Sequence, residues 1–198
     1  QLQKYGVCLN VAVLVGHSSL REAVMGSDDR APSEKELGAM RAILSDYLGL
    51  GALGLSTGLE YKPGMYAATG ELIDLCKEVA HQGAVYATHL RNEDLRVEEA
   101  LDEALAIGAA VGCRVQISHF KACQKRNWHK TALLLQALDR ARRDGLEVCC
   151  DRYPYTAYST SLKLLLPAWS REGNDNDLVA RLSSEQDWLK IRAFVRDK

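Results

Sequence analysis

The sequence predicts an α/β fold of about five parallel βα units, and three observations carry that prediction. Apolar, β-branched runs alternate with helix-like stretches along the chain. From Gly51 onward the strand-like runs begin near residues 51, 84, 114 and 146, at intervals of 33, 30 and 32. Two of those runs close on a histidine: Ala84-Val85-Tyr86-Ala87-Thr88-His89 and Arg114-Val115-Gln116-Ile117-Ser118-His119. Repeats of this length with helices between them are parallel βαβ units with right-handed crossovers. Consecutive parallel strands bring both imidazoles to one C-terminal sheet edge, where catalytic groups collect in such folds. Two neutral imidazoles there are half of a zinc site; the plainer alternative is that each histidine caps its strand with a satisfied hydrogen bond.

Each element has its own signal. Gly6 to Gly16, with Val7, Leu9, Val11, Val13 and Val15, alternates as a strand and ends at His17. Ser33 then opens an amphipathic helix as N-cap, Glu36 sits at the capping-box position, and the apolar stripe runs through Leu37, Met40, Ile43, Leu44, Tyr47 and Leu48 to Gly49. Gly51 to Leu55 reads as a short strand, and Ser56 to Gly64 as a loop closed by a Pro-Gly turn. Thr69 is expected to cap the next helix, whose buried face is Leu72, Ile73, Leu75, Cys76 and Val79, with Gly83 breaking it. Helices follow at about 96–110 and 130–143, and a strand runs from Leu146 to Asp151. Beyond a loop marked by Pro154, Pro167 and a polar cluster from Gly173, residues 177–198 read as a helix.

Composition narrows the function classes. The 198 residues are 47% hydrophobic with a net charge of −1, ordinary for a globular chain. No basic stripe with interleaved aromatics suggests nucleic acid, and no apolar run approaches the roughly twenty residues that span a bilayer. Cys8, Cys76, Cys113, Cys123, Cys149 and Cys150 show no CxxC spacing, and several lie in apolar periodic segments. That usage predicts a reduced, cytoplasmic chain. Gln1, with neither initiator Met nor signal-peptide pattern, reads as a cut boundary. Five strands fit a doubly wound sheet, but the Gly-rich phosphate loop usual there is missing. A (β/α)₈ barrel needs roughly 250 residues, so on that reading the chain is a barrel fragment that depends on its missing parts.

The residues resemble the N-acyl-D-amino-acid deacylases (D-aminoacylases) of the amidohydrolase superfamily. The resemblance is carried in order by Asn10-Val11 to His17 with Leu20-Arg21 and Val24-Met25-Gly26, Gly51 to Leu59 with Tyr61 and Pro63-Gly64, and Thr88-His89-Leu90-Arg91-Asn92-Glu93. It continues through Gln116 to Lys121 with Asn127-Trp128, and Asp151-Arg152-Tyr153-Pro154-Tyr155 with Ser159-Thr160. The run Cys123-Gln124-Lys125-Arg126 is more basic than that pattern. The resemblance implies a partial (β/α)₈ TIM-type barrel, with residues 1–198 its central part and the early strands and last strand missing. It also implies a zinc-dependent hydrolase that cleaves N-acyl-D-amino acids, small-molecule substrates, to a D-amino acid and a carboxylate.

In such enzymes zinc polarises an amide carbonyl and lowers the pKa of its bound water toward about 7. His89 and His119 match the two strand-end metal ligands. Tyr61, Lys121, Tyr153 and Ser159 match positions around the acyl-D-amino acid and its carboxylate. Lys121 lies two residues beyond His119, so strand alternation would place its ammonium on the same side. The family's third ligand, a cysteine, has no counterpart here, and neither do its early His-x-His motif, its late aspartate and its late arginine. No catalytic residue is therefore assigned to this chain, which is expected to be inactive alone and to need the missing segments or oligomer contacts. Cys8 and Cys150 are set aside as ligands, Cys8 at the wrong end of its strand and Cys150 as core. Asp151 either faces the mouth or ties down a loop. His17 is read as a strand-end residue in a supporting or capping role, and His81 and His129 as surface residues. Two other readings stay open: a cyclic-amide amidohydrolase like the hydantoinases and dihydroorotases, disfavoured because the strand at Gly51 to Leu55 lacks the bridging lysine, and a non-catalytic barrel fragment.

Overall fold

The structure, a computed structural model, describes Lys4 and residues 6–197. Two compact units divide the chain, Gln1–Tyr153 and Pro154–Lys198. The first holds a five-stranded sheet of β1 (Leu14–Gly16), β2 (Gly54–Gly58), β3 (Val85–His89), β4 (Arg114–Ile117) and β5 (Val148–Cys150). All four pairings are parallel and the strands lie in chain order without reversal. That order is the arc of a (β/α)₈ barrel; a doubly wound sheet reverses direction at a switch point.

Register decides which side chains enter the core. Leu55 pairs with Tyr86, Tyr86 with Val115, and Val115 with Val148. Because side chains alternate along a strand, these residues share one face. They are buried against Leu20 of α1 (His17–Met25), Met40, Leu44 and Leu48 of α2 (Glu34–Gly49), and Leu72, Leu75 and Val79 of α3 (Thr69–His81). The same core takes Leu101 and Ile107 of α4 (Val97–Val111) and Leu134 and Leu138 of α5 (Thr131–Arg143). The opposite face carries the row Ser56, Ala87, Gln116 and Cys149, and leads at the C-terminal edge of β3 to His89. Gly54 is required by the close approach of β2 to β3, since a methyl there would overlap the carbonyl oxygen of Val85.

Several elements differ from the sequence reading. The first strand is three residues long and does not begin at Gly6, because β2 offers partners only from Leu53 onward, where its N–H meets Val13 O at 2.7 Å. Val7, Leu9 and Val11 are exposed. His17 directly follows β1, as expected of a strand-end residue, but it also opens α1, a helix the alternating pattern concealed, and is fully buried. The second strand sits three residues later than expected, since Gly51 adopts φ 101° in the turn that leaves α2. The capping box of Ser33 and Glu36 is present. Ala68, not Thr69, is the N-cap of α3, and the Thr69 hydroxyl donates to Glu103 Oε1 at 2.7 Å.

In the second unit the expected single helix is two, α6 (Asp175–Ser183) and α7 (Glu185–Asp197), because Ser184 turns extended between them. Asn174 and Asp177 form a capping box at the start of α6. Leu178 of α6 and Ile191 of α7 are buried, and Arg181 donates to the carbonyls of Ser170 and Glu172 at 3.2 and 2.6 Å. Among the described residues no helix is long and apolar enough to cross a membrane.

Candidate metal centre

The C-terminal edge of the sheet brings two imidazoles together edge-on. His89 is the last residue of β3. His119 lies two residues past β4, and its backbone turns to φ 41°. Three bonds hold that turn: Ser118 N–H donates to Thr88 O at 2.9 Å, and the N–H groups of His119 and Phe120 donate to Asp151 Oδ1 and O at 2.6 and 2.9 Å. Asp151 also accepts from Gln116 Nε2 at 2.9 Å, so it ties down the loop that carries His119. The two rings stand 4.7 Å apart between centroids at 75°, with His89 Nδ1 3.0 Å from His119 Nε2. Two zinc bonds of about 2.0 to 2.1 Å span at most about 4 Å, so these nitrogens can share one ion.

Acidic groups flank the pair, and the sequence reading gave none of them a role. Glu60, just past β2, places Oε2 3.1 Å from His89 Nε2. Glu93, four residues beyond His89, is nearly sealed from solvent; its Oε2 lies 2.5 Å from Lys121 Nζ and its Oε1 2.9 Å from His119 Nδ1. The contact at Oε1 is short but not aligned as a hydrogen bond, so this buried oxygen meets the His119 ring as a charge. Burial pushes the Glu93 carboxyl up, but His119, the field of His89 and the Lys121 ammonium outweigh it and hold the group below its ordinary value. One ligand atom each from His89, Glu93 and His119 lie within 4.8 Å of one another. The two facing ring nitrogens fit a divalent ion such as zinc, and the Glu93 carboxylate lies behind them, against the other nitrogen of His119.

The remaining expected residues distribute unevenly. The Tyr61 ring meets His89 edge-on at 5.1 Å between centroids. Lys121 comes close to His119, with Nζ 3.0 Å from both its Nδ1 and its carbonyl oxygen, but not by strand alternation, since the strand ends at Ile117. The Tyr153 ring centroid lies 5.7 Å from Lys121 Nζ. Ser159 is exposed in the second unit. Cys8, Cys149 and Cys150 are exposed thiols; Cys150, read from the sequence as core, is the last residue of the edge strand β5. Cys123 is buried with Sγ 3.9 Å from Glu93 Oε2, and burial followed by the Glu93 charge pushes its thiol up to about 11, which disfavours the thiolate a metal would need. His81 and His129 lie on the surface.

No protein-family model matches the chain. Comparison with individual proteins does give relatives. The N-acyl-D-glutamate deacylase of Alcaligenes xylosoxydans xylosoxydans is 47% identical over 154 residues, 78% of this chain and 32% of that protein. A crystal structure of N-acyl-D-glutamate deacylase from Bordetella bronchiseptica, complexed with zinc and a phosphonate that mimics the tetrahedral intermediate, superposes with TM-score 0.75 at 42% identity, covering 78% of this chain and 32% of that one. A D-aminoacylase structure, described by its binuclear metal centre with one-metal activation and second-metal attenuation, superposes with TM-score 0.78 at 33% identity, covering 98% and 43%. The chain thus spans about a third of the length of the curated relatives it matches. Across most of its residues it is a relative of the N-acyl-D-amino-acid deacylases, the D-aminoacylase family of amidohydrolases.

Proposed function

We propose that residues 1–198 are the central part of an amidohydrolase barrel whose intact enzyme uses zinc to hydrolyse N-acyl-D-amino acids to a D-amino acid and a carboxylate. The observation that carries this reading is the facing pair His89 Nδ1 and His119 Nε2, 3.0 Å apart, with the Lys121 ammonium beside them. His89 and His119 would hold the ion with neutral imidazoles, which bind zinc without cancelling its charge. Zinc bound there supplies Lewis acidity toward the amide carbonyl and a lowered pKa for an attacking water. Lys121 offers a positive charge to the substrate carboxylate, and Tyr61 and Tyr153 border the same edge with an aromatic surface for the acyl-amino acid. Ser159 is assigned to the substrate carboxylate on the resemblance alone.

That β2 contains no lysine supports this reading over a cyclic-amide hydrolase with a lysine-bridged metal pair. The free cysteines among the described residues support a reducing, cytoplasmic setting. Segments beyond this chain would supply the third ligand and the groups that move the proton, in this protein or through oligomer contacts. The decisive test is release of free D-amino acid from N-acetyl-D-glutamate, N-acetyl-D-aspartate and N-acetyl-D-leucine by the intact enzyme, with metal counted on the same preparation. Zinc without turnover on any of them would reject the substrate class, and absence of metal would return the chain to a non-catalytic module.

Substitution of Lys121 tests recognition separately. A contact made equally in ground and transition states is uniform binding, so Lys121→Met should raise KM with little change in kcat. Loss of one partner of a buried charge pair costs about 2 to 5 kcal/mol, which sets the expected KM increase at about thirtyfold or more. An unchanged KM in steady-state assays would remove Lys121 from the substrate site.

A further inference from the structure

Lys121 is not a solitary cation. Its side chain is 9% exposed, and its ammonium already meets Glu93 Oε2 at 2.5 Å and the carbonyl of His119 at 3.0 Å. The other oxygen of the same carboxylate faces His119. Glu93 is itself fixed by its backbone, whose carbonyl accepts from Cys123 N–H at 2.6 Å, and Asn127 Nδ2 donates to the Cys123 carbonyl at 2.8 Å. One buried carboxylate thus stands between a metal-facing imidazole and a carboxylate-facing ammonium, with one oxygen turned to each. Oxygens of a single carboxylate cannot move independently, so any shift in the loop after β3 displaces both partners together.

We infer that Glu93 is a positioning residue that couples the two halves of the site, setting the ring of His119 for the metal through Oε1 and the ammonium of Lys121 for the substrate carboxylate through Oε2. This inference rests on the proposed deacylase reading for its substrate half only. Acidic groups that orient metal-bound histidines commonly change metal affinity 10- to 100-fold when removed. Glu93 adds a second role, because it also partly neutralises and aims the cation that recognises the substrate.

The test uses Glu93→Gln, which keeps shape and removes charge, and Glu93→Asp, which keeps charge and withdraws it by one methylene, both in the intact enzyme. Zinc affinity is read by competition with a chromogenic chelator, which requires no turnover. Glu93→Gln should weaken zinc binding by about 10- to 100-fold, with Glu93→Asp between it and the parent. At saturating zinc, Glu93→Gln should raise KM for an N-acyl-D-amino acid but not for the corresponding N-acyl-D-amino acid amide, which has no carboxylate for Lys121 to meet. In a Lys121→Met background, Glu93→Gln should leave KM where Lys121→Met has already put it.

Unchanged zinc affinity in both variants overturns the His119 half. KM effects that are equal for acid and amide, or additive with Lys121→Met, overturn the Lys121 half. If the parent enzyme binds zinc but hydrolyses no N-acyl-D-amino acid, the deacylase reading falls while the chelator titration still decides the His119 half. The Lys121 half is then read from equilibrium binding of a free D-amino acid to the zinc-loaded protein, where an unchanged affinity in Glu93→Gln overturns it.

Discussion

His119→Ala in the intact enzyme should lose bound zinc and deacylase turnover together, with kcat/KM falling by at least about a thousandfold. The magnitude follows from the role proposed for the metal: without it neither the carbonyl nor the attacking water is activated, and several kcal/mol of transition-state stabilisation disappear at once. The imidazole is one of two nitrogens 3.0 Å apart, and a single remaining histidine cannot hold a catalytic ion, which ordinarily takes three protein ligands. The measurement is metal per protomer by elemental analysis alongside steady-state kinetics. Full turnover with undiminished zinc would place the metal elsewhere. Loss of zinc in His119→Ala beside retention in Lys121→Met would separate the metal half of the edge from its recognition half.

The largest expected effect on stability lies away from that edge, in a buried triad of His17, Arg21 and Glu71. Glu71 Oε1 lies 2.8 Å from His17 Nε2 and Oε2 2.5 Å from Arg21 Nη1, and the side chains of all three are almost wholly sealed from water. Arg21 also donates to the carbonyl of Arg30 at 2.8 Å, stapling the loop after α1. Removing one partner leaves an uncompensated buried charge, so Arg21→Leu should cost about 3 to 5 kcal/mol and lower Tm by about 6 to 20 °C. Pairing Arg21→Leu with Glu71→Met should recover much of that loss, since a buried ion pair replaced by apolar groups is often neutral or better. A Tm unchanged in Arg21→Leu would show that the triad contributes nothing.

The same carboxylate gives a pH signature. Burial raises the Glu71 carboxyl, but the hydrogen bonds from His17 and Arg21 outweigh it and hold it below the ordinary carboxylate value. The folded state therefore binds this proton less readily than the unfolded chain. Its contribution to stability is complete above the unfolded carboxylate range near 4.3 and is lost as pH falls through the folded value. Denaturant midpoints recorded from pH 6 down to pH 3 should decline less steeply in Glu71→Gln than in the parent protein.

The sequence exposed the sheet because period and punctuation agree: Gly83, Gly112 and Gly145 stop helices at about 30-residue intervals and the following runs are β-branched. His89 and His119 were legible because strand ends are defined by the same pattern. Glu60 and Glu93 were not, since a carboxylate in a loop carries no periodic signal and its partner is chosen by tertiary contact. Glu93 lies four residues after His89, yet its contacts, His119 and Lys121, come from the next βα unit. The triad was hidden for a different reason. Alternating valines from Val7 to Val15 marked His17 as a strand end but gave no sign of the helix it opens or of its partner Glu71, 54 residues away. Residues 6 to 13 also show the limit of alternation: a strand exists only where a neighbour supplies the other half of each hydrogen bond.

The left-handed backbone of His119 has an evolutionary corollary. At φ 41° a side chain other than glycine is held in a conformation that costs of order 1 to 3 kcal/mol. Drift toward glycine or asparagine at this position would relax the turn and make the protein more robust to heat while deleting a nitrogen from the histidine pair. If His119 holds the proposed ion, selection for thermal robustness and selection for metal binding pull this position in opposite directions, and a homologue with glycine there would be the sturdier one and would lack half of the histidine pair.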